Sequence, residues 1–317
     1  MNVLKFLLAP ALCAALLGGC GGSSSRVEDY VPTRLVAFGD ELSLINADGS
    51  KYSVNAFKPN TAVLDCVNYP VWPQVVASGF GMVFAECNQA AVATTAAVMK
   101  AAAGAKVADV AAAVAAYQAT TVFTPQTLVT VMAGQNDILA AYAAYDAGTL
   151  TRAAAKTQAA AVGKTLGALV NRVANLGSGA RVLYATPPNL GYSPYAATEV
   201  ARTGDADRAA LLRELTLVFV EGLRTEVLND GRYAALITGD ELTISLSDLT
   251  RMTANLLTNI TDAACTTALP ACTTATLVSG AAGSGTTYLW ADAQHPSALF
   301  QSRVGAAAFN RARNNPF

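Results

Sequence analysis

One histidine, His295, occurs in 317 residues. A metal centre built on several imidazoles is therefore excluded, and the six cysteines contain no C-x-x-C pair of the zinc type. Charge is equally scarce. Charged residues make up 14% of the chain and the net charge is −1, so no basic surplus exists to neutralise nucleic-acid phosphates. No run of like charge marks a polyelectrolyte tail. No internal repeat stands out. Gly-Asp-Glu-Leu occurs at 39–42 and again at 239–242, but the second copy lacks the strand and helix context of the first. Beyond the first twenty residues no stretch resembles a membrane span, because Lys100, Lys106 and Asp109 interrupt the alanine-rich region around 90–118. Nothing in the chain requires a cofactor.

What is present is an apolar chain, 53% hydrophobic and rich in alanine, of a length that fits one large domain or two small ones. Lys5 precedes an apolar run from Phe6 to Leu17, too short for a stable transmembrane helix. The run ends in Leu17-Gly18-Gly19-Cys20, and Gly21-Gly22-Ser23-Ser24-Ser25 follows. Small residues before a cysteine, then a polar tether, resemble the lipobox of a bacterial lipoprotein. That resemblance implies a signal peptide over 1–19, a lipidated Cys20, a tether over 20–32 and a membrane held through the lipid. With Gly21 rather than an aspartate after the cysteine, it implies outer-membrane sorting, facing periplasm or cell surface. The alternative is an ordinary signal peptide cleaved at the small residues. Export permits disulfides. Cys66, Cys87, Cys265 and Cys272 remain in the mature chain, and four cysteines allow three pairings. The economical one joins neighbours in sequence, Cys66 to Cys87 and Cys265 to Cys272.

Strand and helix patterns alternate. Leu35–Phe38 reads as a strand ending at Gly39-Asp40, and 46–70 as a turn-rich excursion. A helix starts at Trp72, Met82–Phe84 reads as a strand, and Val107–Ala119 as a helix. Leu128–Met132 suits a strand buried on both faces. A long amphipathic helix covers 152–176 with Leu166, Leu169, Val170 and Val173 on one stripe, stopped by Gly177-Ser178-Gly179. Arg181–Ala185 and Tyr233–Ile237 read as strands and 206–229 as a helix. Residues 271–286 read as a flexible loop, and Ser297–Arg313 as a last helix. This alternation predicts an α/β domain with a mainly parallel sheet. Ligands of such sheets bind beyond the carboxyl ends of the strands, and the polar motifs fall there.

Three motifs carry chemistry: Phe38-Gly39-Asp40-Glu41-Leu42-Ser43, Gly134-Gln135-Asn136-Asp137 and Asp292-Ala293-Gln294-His295-Pro296. In this order, each at a strand end, they resemble the SGNH (GDSL) superfamily of lipases and esterases, over roughly 33–317. Trp72-Pro73-Gln74 and Pro187-Pro188-Asn189-Leu190-Gly191 add to the likeness. The resemblance implies a three-layer α/β/α, flavodoxin-like fold and an ester hydrolase, a monomer acting on a small-molecule or acyl-ester substrate. It implies an oxyanion donor in Asn136, within the block opened by Gly134. It implies a base in His295 with Asp292 holding the imidazole tautomer. The plain alternatives are a polar turn for Asn136-Asp137, a capping or exposed carboxylate for Asp292 and a structural histidine.

Two positions depart from the family pattern. Its nucleophilic serine is replaced by Glu41, and a carboxylate has no hydroxyl proton for His295 to remove. Its second block supplies a glycine N–H to the oxyanion hole, expected after the second strand. With Met82–Phe84 as that strand, the stretch reads Glu86-Cys87-Asn88-Gln89-Ala90-Ala91, without glycine; Asn88 or Gln89 are the candidates there. Ser43 could substitute as nucleophile, but two residues along a helix turn a side chain through about 200°, away from His295; helix capping suits it better. Glu41 could instead serve as general base on a water, although two carboxylates flanking one imidazole favour the imidazolium. Three readings remain: an ester hydrolase, a catalytically inactive SGNH-fold lipoprotein that binds a ligand or partner, and a purely structural envelope protein.

Overall fold

The computed structural model describes residues 28–175, 179–228, 233–245, 259–281, 286–314 and 316–317. Cys20, the signal segment 1–19 and residues 20–27 of the tether lie outside these, as do Gly177 and Ser178.

Five strands form one parallel sheet: β1 (Arg34–Gly39), β2 (Ala97–Met99), β3 (Thr127–Met132), β4 (Arg181–Ala185) and β5 (Ala234–Ile237), in the order β2-β1-β3-β4-β5. This is a doubly wound order whose direction reverses beside β1 and β3, where a crevice opens at the strand ends. Every residue of β3 is buried, as its continuous apolar run requires of a strand covered on both faces.

Side-chain alternation divides the core in two. Val36, Phe38, Val129 and Val131 point to one face. There they meet α2 (Val107–Gln118), α3 (Gln135–Asp146), α4 (Arg152–Asn175), α5 (Pro194–Thr203) and α6 (Asp207–Leu228). Leu35, Ala37, Leu128 and Met132 point to the other, against α1 (Trp72–Gly79) and the last helix, α7 (Ala298–Arg313). The three-layer α/β/α architecture is therefore present. The α4 stripe of Leu166, Leu169, Val170 and Val173 is buried as its spacing requires. No helix among the described residues is long and apolar enough to cross a membrane.

Both disulfides join the neighbouring cysteines, Cys66–Cys87 and Cys265–Cys272. The excursion after β1 is buried more deeply than its polar sequence implied. Lys51 is fully buried, its Nζ donating to the carbonyls of Cys66 (3.0 Å) and Asn68 (2.6 Å). Burial lowers its pKa to about 8, against a smaller upward pull from Asp65.

Two expectations are corrected. Met82–Phe84 is not a strand of the sheet. Phe84 makes one isolated bridge to Ala97, and Ala97–Met99 is the segment that pairs with β1. Leu35 N–H donates to Ala96 O (3.0 Å) and Lys100 N–H to Ala37 O (2.8 Å). Tertiary register outranks the weak strand propensity of an alanine-rich run. The segment at 271–286 is anchored at its start, with Cys272 fully buried and Asn55 bridged to Thr273; residues 282–285 lie outside the described ones. A two-stranded parallel ribbon, β6 (Asn259–Ala263) with β7 (Tyr288–Trp290), leads into the histidine motif. Neither this ribbon nor α3 and α5 is among the elements that the sequence pattern predicts.

Candidate active site

Four loops at the carboxyl edge of the sheet bring the polar residues together. The chain leaves β1 at Gly39 and enters a short 3-10 turn, Glu41–Ser43. Asp40 caps that turn, its Oδ1 accepting from Leu42 N–H (3.1 Å). Asp40 is completely buried and its other oxygen has no hydrogen-bond partner among the described residues. Burial first, then the neighbouring Glu41 charge, push its carboxyl well above the ordinary range. The turn aims Glu41 across the strand ends, with 5% of its surface exposed.

After β3 the chain turns into α3 at Gly134, whose φ of 115° belongs to the region glycine favours. A Cβ there would lie 2.1 Å from the Phe219 ring, so both backbone and packing require glycine. The next residues face the loop after β2. Asn136 Nδ2 donates to Ala105 O (3.2 Å) and Asp137 Oδ2 accepts from Val107 N–H (2.9 Å). These two bonds fix the backbone of residues 104–107 against α3. Gly104, exposed and at φ 71°, then directs its N–H into the cluster.

The third contribution precedes α7. Asp292 Oδ1 accepts from the backbone N–H groups of Gln294 (2.8 Å) and His295 (2.6 Å), so the carboxylate folds its own loop. The same carboxylate lies 2.9 and 2.8 Å from His295 Nδ1. Ser297, outside the cluster, caps α7 by accepting from Leu299 N–H.

The groups converge on one carboxylate. Glu41 Oε2 accepts from Gly104 N–H (2.7 Å) and Asn136 Nδ2 (3.0 Å). Glu41 Oε1 lies 3.1 Å from Asn136 Nδ2 and 3.3 Å from His295 Nε2. Burial alone would raise the Glu41 pKa; hydrogen bonds from His295, Asn136 and Gly104 outweigh it and hold the group below its ordinary value. Burial likewise opposes a charged His295. Its bonds to Asp292 and Glu41, with their negative charges, win and raise it to about 9. Asp292 is held low chiefly by His295, against the upward effect of burial. At neutral pH the site therefore holds an imidazolium between two carboxylates.

The expected residues Glu41, Asn136, Asp292 and His295 all meet here, and Gly134 stands behind them, turning the chain into α3 two residues before Asn136. Ser43 does not: it is fully buried, and its Oγ accepts from Trp72 Nε1 (3.0 Å). It is a partner for tryptophan rather than a helix cap, the cap being Asp40. The second-block residue is also corrected. Asn88 and Gln89 lie in a different loop, with Gln89 bonded to Asp65, and Gly104 supplies the N–H. Once Ala97–Met99 is recognised as the second strand, a glycine five residues beyond it is the signal that identifies Gly104. An apolar hollow of about 510 Å³ between α1 and α7, beside Met82, Phe84 and Phe309, contains none of these residues.

Fold and cluster together define a hydrolase-type site of the SGNH arrangement. A profile described as GDSL-like Lipase/Acylhydrolase matches residues 35–308, and the chain belongs to that family. No curated protein sequence matches it. Among solved structures, similar chains include a lipase, Lip_vut3, from a goat rumen metagenome, at 12% identity and a TM-score of 0.48 over 88% of this chain and 96% of that one. Phospholipase A1 from Streptomyces albidoflavus NA297 is 14% identical, with a TM-score of 0.47 over 89% and 99%. An extracellular lipase from Streptomyces rimosus is 17% identical, with a TM-score of 0.43 over 88% and 99%.

Proposed function

We propose that the protein is an exported, lipid-anchored member of the GDSL family in which serine-type ester cleavage is blocked by Glu41. One observation carries this reading: the oxyanion donors and the catalytic base all bind the side chain at the nucleophile position. In an acyl-serine the carbonyl carbon lies two bonds beyond Cβ, after Oγ. In glutamate Cδ lies two bonds beyond Cβ, after a methylene. Glu41 is therefore shaped like an acyl-enzyme with nothing to release. Oε2 takes the place of the acyl oxygen under Gly104 and Asn136, and Oε1 stands towards His295, where a deacylating water would be activated. A new ester meets a filled oxyanion site and no hydroxyl. Of the two leading expectations, ester hydrolysis and an inactive SGNH-fold lipoprotein, the geometry supports the second as far as carboxylic esters are concerned.

The test is hydrolysis of p-nitrophenyl acetate and butyrate by the purified protein and by His295→Ala. Equal rates at the solvent background are expected. A wild-type rate that His295→Ala removes would overturn the reading.

The anchor is a separate proposal, supported by Leu17-Gly18-Gly19-Cys20 and the glycine-serine tether. Cys20→Ser is expected to lose labelled palmitate and to leave the outer-membrane fraction for the soluble periplasm. Equal partitioning of both proteins would contradict it.

A further inference from the structure

A carboxylate that cannot release an ester through serine can still act as a nucleophile at saturated carbon. We propose that this site hydrolyses small epoxides through a covalent hydroxyalkyl ester on Glu41. The inference rests on the preceding reading that Glu41 occupies the nucleophile position, and adds a substrate class and a reaction.

The residues of the cluster supply the reacting groups. Glu41 Oε1 carries one long contact to His295 (3.3 Å) and one to Asn136, whereas Oε2 holds the short bond to Gly104. Oε1 is the freer oxygen to attack. In the first step its lone pair forms a bond to a ring carbon of the epoxide. The ring C–O bond breaks, and the ring oxygen takes the proton from His295 Nε2. Glu41 becomes a neutral ester and His295 a neutral imidazole. An epoxide fits this inventory better than an alkyl halide, because its leaving oxygen needs a proton and the imidazolium carries one.

The second step uses the surroundings of Cδ. Once Glu41 is esterified, one of the two negative partners of the imidazole is gone, which favours the neutral base. Neutral His295, oriented by Asp292, takes a proton from water, and the water oxygen bonds to Glu41 Cδ. Negative charge develops on Oε2, between Gly104 N–H and Asn136 Nδ2. Collapse breaks the Cδ–Oε1 bond. The departing alkoxide takes the proton back from His295, and the new carboxylic acid then returns its own proton to the imidazole. The sum is epoxide plus water giving a diol, with the site restored. This second step is the deacylation geometry of a serine esterase moved onto Glu41. Gly104 is exposed and Asn136 partly so, leaving the cluster reachable from solvent. The Tyr52 ring, 5.9 Å from the His295 ring, offers a flat wall for an aryl group.

The experiment is a single turnover of styrene oxide with excess full-length protein in water enriched in oxygen-18, followed by mass spectrometry of the diol and of the Glu41 peptide. The expected result is an unlabelled diol and a two-dalton rise on Glu41, with Glu41→Gln, checked for folding by circular dichroism, reduced to the uncatalysed background. A labelled diol with unlabelled Glu41 would overturn the proposal in favour of direct general-base attack by water. Diol formation no faster than without protein would overturn it altogether. The p-nitrophenyl ester assay scores the preceding reading independently. Silent esters with no diol remove only the epoxide reaction. Ester hydrolysis that depends on His295 removes the preceding reading whatever happens to the epoxide.

Discussion

At the scale of residues, the decisive fact is that one imidazole answers to two carboxylates. A histidine raised from 6.5 to about 9 binds its proton more tightly in the folded chain than in the unfolded one. Its contribution to stability is fully present below about pH 6.5 and is lost as pH rises through about 9. Lys51 acts in the opposite sense. Lowered to about 8, it lets stability rise with pH from there towards its ordinary value. Glu41→Gln keeps Lys51 and the shape of the site but removes one partner of His295. The fall in urea midpoint between pH 6.5 and 9 is therefore expected to be shallower in Glu41→Gln than in wild type. Parallel pH profiles for the two proteins would show that Glu41 does not hold the proton on His295.

Residue identities at the site were largely legible because the chemistry leaves few choices. A single histidine with a carboxylate three positions earlier can close an Asp-His pair within one loop, and Asp292 does so while also accepting that loop's N–H groups. Gly104 was not legible. It contributes a backbone N–H rather than a side chain, in a stretch of alanines, and its role depends on where the preceding strand lies.

At the scale of elements, that strand is the point at which sequence and structure part. Met82–Phe84 has the β-forming composition, yet Ala97–Met99 takes the place beside β1, held by hydrogen bonds at both its ends. β1, β3 and β4 were legible because most of their side chains are buried on both faces of the sheet and read as apolar runs; β5, buried on one face and half-buried on the other, is short but still apolar throughout. The β6–β7 ribbon was not, since five residues at 259–263 and three at 288–290 carry no periodicity to read. The consequence reaches the site. Displacing the second strand by some fifteen residues moves the N–H that the family pattern expects from the Asn88–Gln89 loop to Gly104, which meets Glu41 Oε2 beside Asn136. Asn136 and Asp137 then have an unforeseen task, anchoring residues 104–107 to the start of α3.

At the scale of the whole molecule, the fold gathers residues 254 positions apart onto one sheet edge, Glu41 against His295. A doubly wound sheet does this because all its parallel strands point their carboxyl ends the same way. On the proposed reading, the assembled groups are those of a serine esterase with one atom set exchanged, the hydroxyl for a carboxylate that fills the acyl place. Glu41→Ser tests this most directly. It empties the oxyanion site, restores a proton-bearing nucleophile and leaves Asp292, His295, Asn136 and Gly104 in place. Hydrolysis of p-nitrophenyl butyrate is expected to appear in Glu41→Ser. The rate should climb with pH as His295, freed of one carboxylate, loses its proton. Adding Asn136→Ala should cut that rate by about 10²–10³. A folded Glu41→Ser protein that remains at the wild-type background would contradict the account.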